Sequence, residues 1–570
     1  MFRYQSVFFL VLRRLRMPLI LLIVILSVSV LGMTLVPGVP DEHGHPQYMS
    51  FFHALYFISY TATTIGFGEI PVDFSNQQRL WVVVCIYLSV VGWAYTLGAV
   101  FNLLSDRNLA QAFATQRFAR TVRRLNEPFY LVCGYGETGR LVYDALDHLG
   151  HRVVVIELNE QRCGLVGLQN YAADVPALTA DASDPETLRL AGLTHPHCAG
   201  VLALTDDDNA NLAVAISARL LAPKLPALCR AVGRETTANM ASFGTQHIIN
   251  PFQKFADYLA LALHTPAAWR LLTWLTGLPG TIIVEHRSPP RGAWILCGHG
   301  RFGRFIAEAL DHEAVPLTII DRASPDSDAH TWIVGDGTGA DALTEAGIDQ
   351  AVGIIACTDS DVDNLSTAVT ARDLNPDLYV ILRQNLYSNR PLFDAFESDL
   401  NMVPSQVIAH ECLAILSTPL LVPFIAELKR RSNDWNMALM ERLTEHLGVE
   451  VPRVWSETLD RTLAPALCRH LASGATVVIG QLLRDPRDWK RALPCTALLL
   501  KRAGNIQVLP SEDTPLKHGD TLLLIGRPEA RAELELLLRN EFTLHYVLNG
   551  TELTRGWLLK KLFGATTTLP

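Results

Sequence analysis

The chain has 570 residues, of which 49% are hydrophobic, and a formal net charge of −9 at pH 7. Its length allows several domains, and its acidic balance argues against a nucleic-acid-binding protein, which would carry a basic excess. Ten cysteines occur without a Cys-x-x-Cys pair, so neither a zinc ribbon nor a disulfide framework is indicated. We expect the soluble part to lie in a reducing cytoplasm.

Two apolar stretches near the N-terminus, residues 17–36 and 80–104, contain no charged residue and are long enough to span a bilayer. Between them, residues 48–63 form a shorter apolar run, which predicts a re-entrant pore helix. Arginines flank both spans, whereas residues 37–78 contain no Lys or Arg, so both termini are predicted to be cytoplasmic. A secretory signal peptide, the alternative for the N-terminus, fits poorly because the apolar run is too long.

The segment after the pore helix has the form of a potassium-channel selectivity filter, and it consists of Thr64, Ile65, Gly66, Phe67 and Gly68. In such a filter, backbone carbonyl oxygens from four chains replace the water shell of a potassium ion. Gly66 and Gly68 tolerate the unusual φ/ψ values that this requires. We expect Phe67 to brace the filter from behind and Glu69 to close its outer mouth. The alternative is a Gly-rich turn in a soluble loop, and the flanking spans argue against it.

After the second span the chain contains an internal repeat. The strand Phe129 to Cys133 runs into a G-x-G-x-x-G loop, and the strand Ala293 to Cys297, 164 positions later, runs into another. Each loop opens a helix, and an acid, Glu157 or Asp321, follows 18 positions after its last glycine. This is the dinucleotide-binding arrangement of a Rossmann fold. The predicted fold class is therefore an α-helical membrane pore followed by tandem α/β Rossmann units.

An acid at the end of the second strand favours NAD or an adenosine nucleotide over NADP. The candidate ligand residues of the first unit are Gly134, Gly136, Glu137, Thr138, Gly139, Arg140, Glu157, Asp181, Ala182 and Thr205. Those of the second unit are Gly298, Gly300, Arg301, Phe302, Gly303, Asp321, Asp336, Gly337 and Thr358. The alternative is that one or both units are empty scaffolds whose glycines only permit tight packing.

With these motifs the chain resembles ligand-gated potassium channels that carry cytoplasmic RCK domains (regulators of potassium conductance). The resemblance also rests on residues 515–526, which look like an RCK C-terminal lobe, and on helices 251–264 and 406–417, which look like the crossover helices that pair such domains. It implies a homotetramer in the inner membrane with eight RCK domains, potassium ions in the filter, a nucleotide ligand and no enzymatic activity. The resemblance implies no nucleic-acid partner.

The resulting domain scheme is a cytoplasmic segment (1–16), the pore domain (17–104), a linker (105–126), the first RCK domain (127–277), a connector (278–292), the second RCK domain (293–450), the C-terminal lobe (452–540) and a tail (541–570). Gly92 and Gly98 are the candidate gating hinges, because missing side chains loosen a helix. Glycine is also common in membrane helices for packing alone.

The acidic clusters at residues 206–208 and 359–363 suggest a divalent-cation site, since closely spaced carboxylates bind such ions. They lack the glycine and distal glutamate of an EF-hand loop, so helix capping is the favoured interpretation. Calcium therefore stays a candidate ligand without assigned residues. A nonconducting membrane-anchored nucleotide sensor and a Trk-type transporter regulator are the functional alternatives, and a dehydrogenase is disfavoured because no distinct catalytic domain separates the repeats.

Overall fold

The computed structural model describes residues 7–40, 43, 45–69, 73–105, 107–169, 171–277, 280, 287–323, 330–553 and 566–567. By its internal contacts the chain divides into two compact units, Met1–Arg124 and Leu125–Pro570.

The N-terminal unit is helical. Its helices are α1 (Val7–Leu35), α2 (Phe51–Ala62), α3 (Asn76–Leu104) and α4 (Arg107–Val122). Within α1 and α3, Leu15–Leu35 and Asn76–Leu103 are each long and apolar enough to cross a membrane, which indicates a membrane protein. The short helix α2 lies between them in sequence, and Ser50 caps it by accepting a hydrogen bond from the His53 N–H.

Helices α1 and α3 pack closely along their lengths. The Trp81 ring of α3 lies against Gly32 of α1, where a Cβ would come within 2.1 Å of the ring. The Trp81 Nε1–H also donates to the Ser29 carbonyl at 3.2 Å. Small residues that let membrane helices approach are a common device in the absence of a hydrophobic driving force between them. The C-terminal end of α1 is joined to the N-terminal end of α3 by Ser75, whose hydroxyl donates to the Pro37 carbonyl at 2.7 Å.

The first repeat begins the second unit and alternates strands with helices. Its elements are β1 (Phe129–Cys133), α5 (Glu137–His148), β2 (Arg152–Glu157), α6 (Glu160–Val166), β3 (Ala177–Thr179), α7 (Pro185–Leu190), β4 (Cys198–Ala203), α8 (Asp208–Leu221), β5 (Ala227–Arg230), α9 (Arg234–Ser242), β6 (His247–Ile249), α10 (Pro251–His264) and α11 (Pro266–Thr276). The strands form a parallel sheet in the order β3-β2-β1-β4-β5-β6, which is the Rossmann order.

The second repeat has the same plan. Its elements are β7 (Trp294–Cys297), α12 (Arg301–His312), β8 (Leu317–Asp321), β9 (Thr331–Val334), α13 (Ala340–Glu345), a 3₁₀ turn (Ile348–Gln350), β10 (Gly353–Ala356), α14 (Asp361–Leu374), β11 (Tyr379–Arg383), a 3₁₀ turn (Tyr387–Asn389), α15 (Arg390–Phe396), β12 (Leu400–Met402), α16 (Pro404–Ser417), α17 (Leu421–Arg430) and α18 (Asn433–Leu447). Its parallel sheet runs β9-β8-β7-β10-β11-β12, so both repeats are Rossmann units as predicted.

The two Rossmann units exchange helices. Helix α10 of the first unit packs against α12 of the second, and α16 of the second packs against α5 of the first. In the first contact, Phe252, Phe255 and Leu259 share one core cluster with Phe302 and Ile306. In the second contact, an equivalent cluster joins both units through Val142, Tyr143, Leu146, Ile408 and Cys412. The helices predicted to cross over therefore do so.

The C-terminal lobe is built on a small antiparallel sheet. Its elements are β13 (Arg453–Thr458), α19 (Pro465–Ala472), α20 (Ile479–Leu482), β14 (Cys495–Arg502), β15 (Asn505–Val508), β16 (Thr521–Gly526), α21 (Pro528–Arg539) and α22 (Glu541–Asn549), followed by the strands β17 (Glu552–Leu553) and β18 (Thr566–Thr567). Four strands pair in the order β13-β16-β14-β15. The core of the lobe includes Leu544 and Val547, so it extends beyond residue 540, where Asn540 caps a further amphipathic helix.

Candidate functional site

The filter segment has an alternating backbone. Thr64, Gly66 and Gly68 have φ values of 66°, 67° and 92°, whereas Ile65 and Phe67, which lie between them, are not in the positive-φ region. Alternation of left-handed and right-handed residues turns successive peptide groups to the same side of the chain. A filter for a dehydrated cation requires carbonyl oxygens in a row on one side of the chain. The positive φ of Thr64 shows that the alternation extends to a residue with a side chain.

Helix α2 contacts the predicted filter segment through Tyr60. The Tyr60 side chain is buried, and its hydroxyl donates to the Gly68 carbonyl at 2.6 Å. Its ring also meets the Phe67 ring edge to face, with ring centroids 5.3 Å apart. Phe67 thus contacts α2 through Tyr60, and its bracing of a filter stays a prediction. The role of Tyr60 is not predictable from the sequence, because an aromatic residue in an apolar helix carries no signal of its partner.

Glu69 forms an ion pair with the start of α3. Its carboxylate accepts from the Arg79 guanidinium at 2.8 Å and 3.0 Å and from the Phe74 N–H at 2.9 Å. These bonds hold the pKa of the Glu69 carboxyl at about 2, so the group is charged at neutral pH. The carboxylate predicted to close the outer mouth is therefore tied to α3 in the single chain. Arg79 was missed because it lies ten positions away in sequence.

The two candidate hinge glycines have different surroundings in α3, which is continuous from Asn76 to Leu104. A Cβ at Gly92 would lie 2.7 Å from Ile25 Cδ1 of α1, so the absence of a side chain there permits helix packing. At Gly98 no neighbouring atom lies within 4 Å of the Cβ position. In addition, the Thr96 hydroxyl donates to the Gly92 carbonyl at 2.8 Å, a bond of the type that often bends helices.

Each glycine loop has one turn glycine, one open glycine and one packing glycine. Gly134 and Gly298 have φ values of 98° and 100°, which only glycine adopts without strain. A Cβ on the third glycine, Gly139 or Gly303, would lie 2.0 Å or 2.1 Å from the carbonyl oxygen of the first. The second glycine, Gly136 or Gly300, meets no atom closer than 3.5 Å. That leaves room at the helix N-terminus, where a phosphate can approach free N–H groups.

The acid at the end of the second strand supports the glycine loop in both units. The Glu157 carboxylate is buried and accepts from the Tyr135 N–H at 2.5 Å and the Asn159 N–H at 2.8 Å. The Asp321 carboxylate accepts from the His299 N–H at 2.5 Å and the Ala323 N–H at 2.9 Å. Each oxygen keeps a second lone pair for a ribose hydroxyl. Besides any ligand contact, these acids therefore fix the loop.

The remaining predicted ligand residues are placed as follows. Asp181 and Asp336 each accept from the backbone N–H two residues later, and bonds from Thr338 lower the pKa of Asp336. Thr205 and Thr358 donate their hydroxyls to Asn211 and Asn364 at 2.7 Å and 2.8 Å. Of the other predicted ligand residues, Ala182 and Thr138 are buried, Gly337 has a positive φ, and Arg140 lines a cavity. The Phe302 ring lies in the core.

Asn211 and Asn364 are structural residues that the sequence analysis overlooked. The side-chain amide of each donates to the backbone carbonyl of the threonine six positions earlier. It also donates to the backbone carbonyl of the last residue of the unit's fifth strand, Arg230 or Arg383. Both are fully buried. Each therefore ties the end of one strand to the next. The signal was present, since an Asn follows Thr-Asp at the same spacing in both repeats.

The acidic clusters are occupied by the protein itself. Asp207 and Ser360 cap α8 and α14, which agrees with the capping interpretation. Asp208 accepts from the backbone N–H groups of Val232 and Gly233, and Asp361 holds the equivalent segment of the second unit. Within the described residues, no group of three or more His, Cys, Asp or Glu side chains is arranged to hold a metal ion.

Two cavities adjoin the first glycine loop, and both are partly lined by the second unit. One of ≈ 310 Å³ lies between Tyr135, Arg140 and Arg162 on one side and Tyr387 on the other. The other, of ≈ 630 Å³, is lined by Gly136, Thr138 and Asp206 and by residues of the second unit that include Arg301, Arg383, Asn385 and Ser405. The position predicted for the first nucleotide is thus lined by both units. Arg162, which lines both cavities, was not predicted.

Family models match most of these elements. The model described as "TrkA-N domain" matches residues 130–251 and 294–404, and the model described as "Ion channel" matches residues 19–106. The first two ranges contain nearly all of the two Rossmann sheets, and the third runs from within α1 through α3. The chain therefore carries an ion-channel domain followed by two TrkA-N domains, which confirms the combination predicted from the sequence.

Similar proteins include prokaryotic potassium channels. Potassium channel protein 1 of Methanocaldococcus jannaschii is 26% identical over 251 residues, covering 42% of this chain and 65% of the relative. The voltage-gated potassium channel Kch of Escherichia coli is 26% identical over 180 residues, covering 31% and 41%. The chain thus matches less than two thirds of the length of either relative.

Solved structures to which this chain is similar include the GsuK channel bound to NAD. It is 18% identical, covers 92% of this chain and 98% of its own, and has a TM-score of 0.44. The structure of GsuK bound to ADP is 21% identical, covers 72% and 99%, and has a TM-score of 0.42.

The geometry of the glycine loop predicts opposite outcomes for two alanine substitutions. Gly139→Ala forces a Cβ against the Gly134 carbonyl, so we expect a melting temperature lower by several degrees. Gly136→Ala meets no close atom, so the melting temperature of the unliganded protein should change little. Thermal unfolding of the full chain in detergent measures both. Equal destabilisation by the two variants would contradict the division of roles.

Proposed function

We propose that this chain is the subunit of a potassium-selective channel whose opening is controlled by nucleotide binding to its tandem Rossmann units. The alternating backbone of residues 64–68 is the observation that carries the proposal. It occurs directly after a short helix and between two helices able to span a membrane, in the part of the chain that matches the ion-channel model. Backbone of this kind is tolerated at membrane depth when it lines an enclosed pore.

The assembly that we propose is a homotetramer. Residues 64 to 68 are all exposed in the single chain, and a row of exposed carbonyls in a membrane would be unfavourable without enclosure. Four copies around one axis supply the rings of oxygens that a potassium filter uses. Such a tetramer contains eight Rossmann units. We place it in the inner membrane with both termini in the cytoplasm, on the side of the flanking arginines.

NAD or an adenine nucleotide is the ligand class that we propose. An open second glycine, a free helix N-terminus and an acid at the end of the second strand are present in both units. Moving a two-state pore from 1:99 to 99:1 needs a differential binding free energy of about 5.5 kcal/mol, so eight sites would each contribute less than 1 kcal/mol. The units thus serve as regulators rather than enzymes. Calcium is not included, because the acidic clusters are occupied by protein donors.

Reconstitution into liposomes tests the pore. We expect the full chain to conduct potassium, and Gly66→Ala to abolish selective flux because alanine is strained at a φ of 67°. Gly244→Ala is the matched control, since Gly244 has a φ of 75° and no atom near its Cβ position but lies in α/β structure. Potassium and sodium flux into the liposomes should be measured for all three proteins.

The nonconducting alternative makes a different prediction in the same assay. If the native chain conducts no potassium with or without NAD, ADP or ATP, the filter assignment is wrong and a membrane-anchored nucleotide sensor becomes the better account. Equal flux through the Gly66→Ala and native chains would also contradict the proposal.

The nucleotide sites are tested by conservative substitution of the two acids. Glu157→Gln and Asp321→Asn remove the charge that accepts ribose hydroxyls, so we expect each to weaken the thermal stabilisation given by NAD or ADP at its own unit. A ligand at 100 times its Kd stabilises by about 2.7 kcal/mol, which is readily measured. Glu186→Gln, at an exposed ion pair, is the control. Unchanged ligand shifts in both variants would exclude these acids as ligands.

We place the gating bend of α3 at Gly98, because Gly92 is occupied in packing against α1. We expect Gly98→Ala to lower the fraction of open channels while leaving the melting temperature nearly unchanged, since alanine stiffens the helix without a clash. We expect Gly92→Ala to lower the melting temperature instead. Flux and thermal unfolding should be measured side by side. Normal potassium flux through the Gly98→Ala variant would contradict a gating bend at Gly98.

A further inference from the structure

The two glycine loops carry opposite charges at the same position. Helix α5 begins with Glu137, whereas α12 begins with Arg301. The first turn of a helix has free N–H groups and a positive dipole end, which attract an anion. In the second unit an arginine adds to this attraction. In the first unit the Glu137 carboxylate lies at this position instead.

Glu137 is held by a contact between the two units. Its Oε1 accepts from the Tyr387 N–H at 3.0 Å, and Tyr387 belongs to the 3₁₀ turn that follows β11 of the second unit. Glu137 lines both the ≈ 310 Å³ cavity and the ≈ 630 Å³ cavity beside the first glycine loop. A nucleotide whose phosphates reach Gly136 therefore lies beside this carboxylate.

The side chains that line the ≈ 630 Å³ cavity carry equal numbers of positive and negative charges. Its lining contains four guanidinium groups and four carboxylates, from Arg162, Arg230, Arg301, Arg383, Glu137, Asp206, Asp207 and Asp208. Arg230 and Arg383 already pair with Asp206 and Asp359. Arg383 is 7% exposed, and its Nε has no hydrogen-bond partner within the described residues. The cavity thus offers cationic contacts to a phosphate but no large net attraction for a highly charged one.

Nucleotides differ in how much charge they bring to this position. Each phosphate of a diester pyrophosphate, as in NAD, carries a single negative charge. A terminal phosphate monoester, as in ADP, carries about −1.5 to −2 at pH 7. Like charges disfavour each other more strongly as either charge rises. A fixed carboxylate beside Gly136 therefore penalises the monoester more than the diester.

We infer that Glu137 makes the first Rossmann unit selective for dinucleotides joined by a diester pyrophosphate, over nucleotides that end in a phosphate monoester. This inference rests on the nucleotide regulation proposed above. Glu137 acts as a specificity-determining residue, and its bond to the Tyr387 N–H fixes the carboxylate in place. The second unit, with Arg301 at the equivalent position, lacks this discrimination.

Binding of NAD and ADP to the full chain in detergent tests the inference. The titrations use an Asp321→Asn background, which suppresses binding at the second unit. With Glu137 intact, we expect tighter binding of NAD than of ADP. Glu137→Gln keeps an acceptor for the Tyr387 N–H but removes the charge, so the ratio of the ADP Kd to the NAD Kd should fall about tenfold.

Two further variants separate charge from geometry. Glu137→Asp keeps the charge, so it should retain most of the preference for NAD. Glu235→Gln removes an exposed carboxylate from the first turn of α9 in the same unit and should leave the ratio unchanged. A ratio in Glu137→Gln within twofold of that with Glu137 intact, or tighter binding of ADP with Glu137 intact, would overturn the inference. Absence of binding by every protein, the native chain included, would instead overturn nucleotide regulation itself.

Discussion

The reciprocal packing of α10 on α12 and of α16 on α5 is the contact on which the rest of the second unit, Leu125–Pro570, depends. Each of the two helices that open at a glycine loop has one face covered by the other Rossmann unit. Phe302 and Ile306 on one side, and Val142 and Leu146 on the other, are fully buried in these contacts. Packed interfaces of this kind are bistable rather than continuously deformable. A shift of α5 or α12 is therefore felt by the other unit.

The proposed filter and the proposed nucleotide loops share one arrangement, in which the backbone would present the binding groups and side chains hold the backbone. In the filter, the Tyr60 hydroxyl bonds the Gly68 carbonyl. In the first glycine loop, the Glu157 carboxylate bonds the Tyr135 N–H. Main-chain groups have fixed spacing, so they suit ligands that are recognised by size and charge. The supporting side chains can then be chosen for stability without changing what is bound.

Local patterns in the sequence predicted many elements of the fold, but they did not predict contacts between residues that are far apart in the chain. The strand Phe129 to Cys133, both glycine loops and both strand-end acids follow from periodicity and spacing, which are local properties. The partners of these groups could not be read in the same way. Arg79 meets Glu69, and the segment around Tyr387 closes the first loop, only because the chain folds back over 10 and 250 positions. Motifs therefore predict where the sites lie, while the residues that line them are seen only in the three-dimensional structure.

The exchange of helices has a consequence for how the regulatory part assembles. In the Rossmann pair of this chain, both partners are encoded in one polypeptide, so their association is an intramolecular event. Tethered partners experience an effective concentration on the order of millimolar when the linker is short, whatever the amount of protein in the cell. Pairing of the two units is then independent of expression level. Two units within one polypeptide need not have the same sequence, unlike the partners in a pair of identical chains. Equivalent positions of the two glycine loops can therefore carry different residues, as Glu137 and Arg301 show.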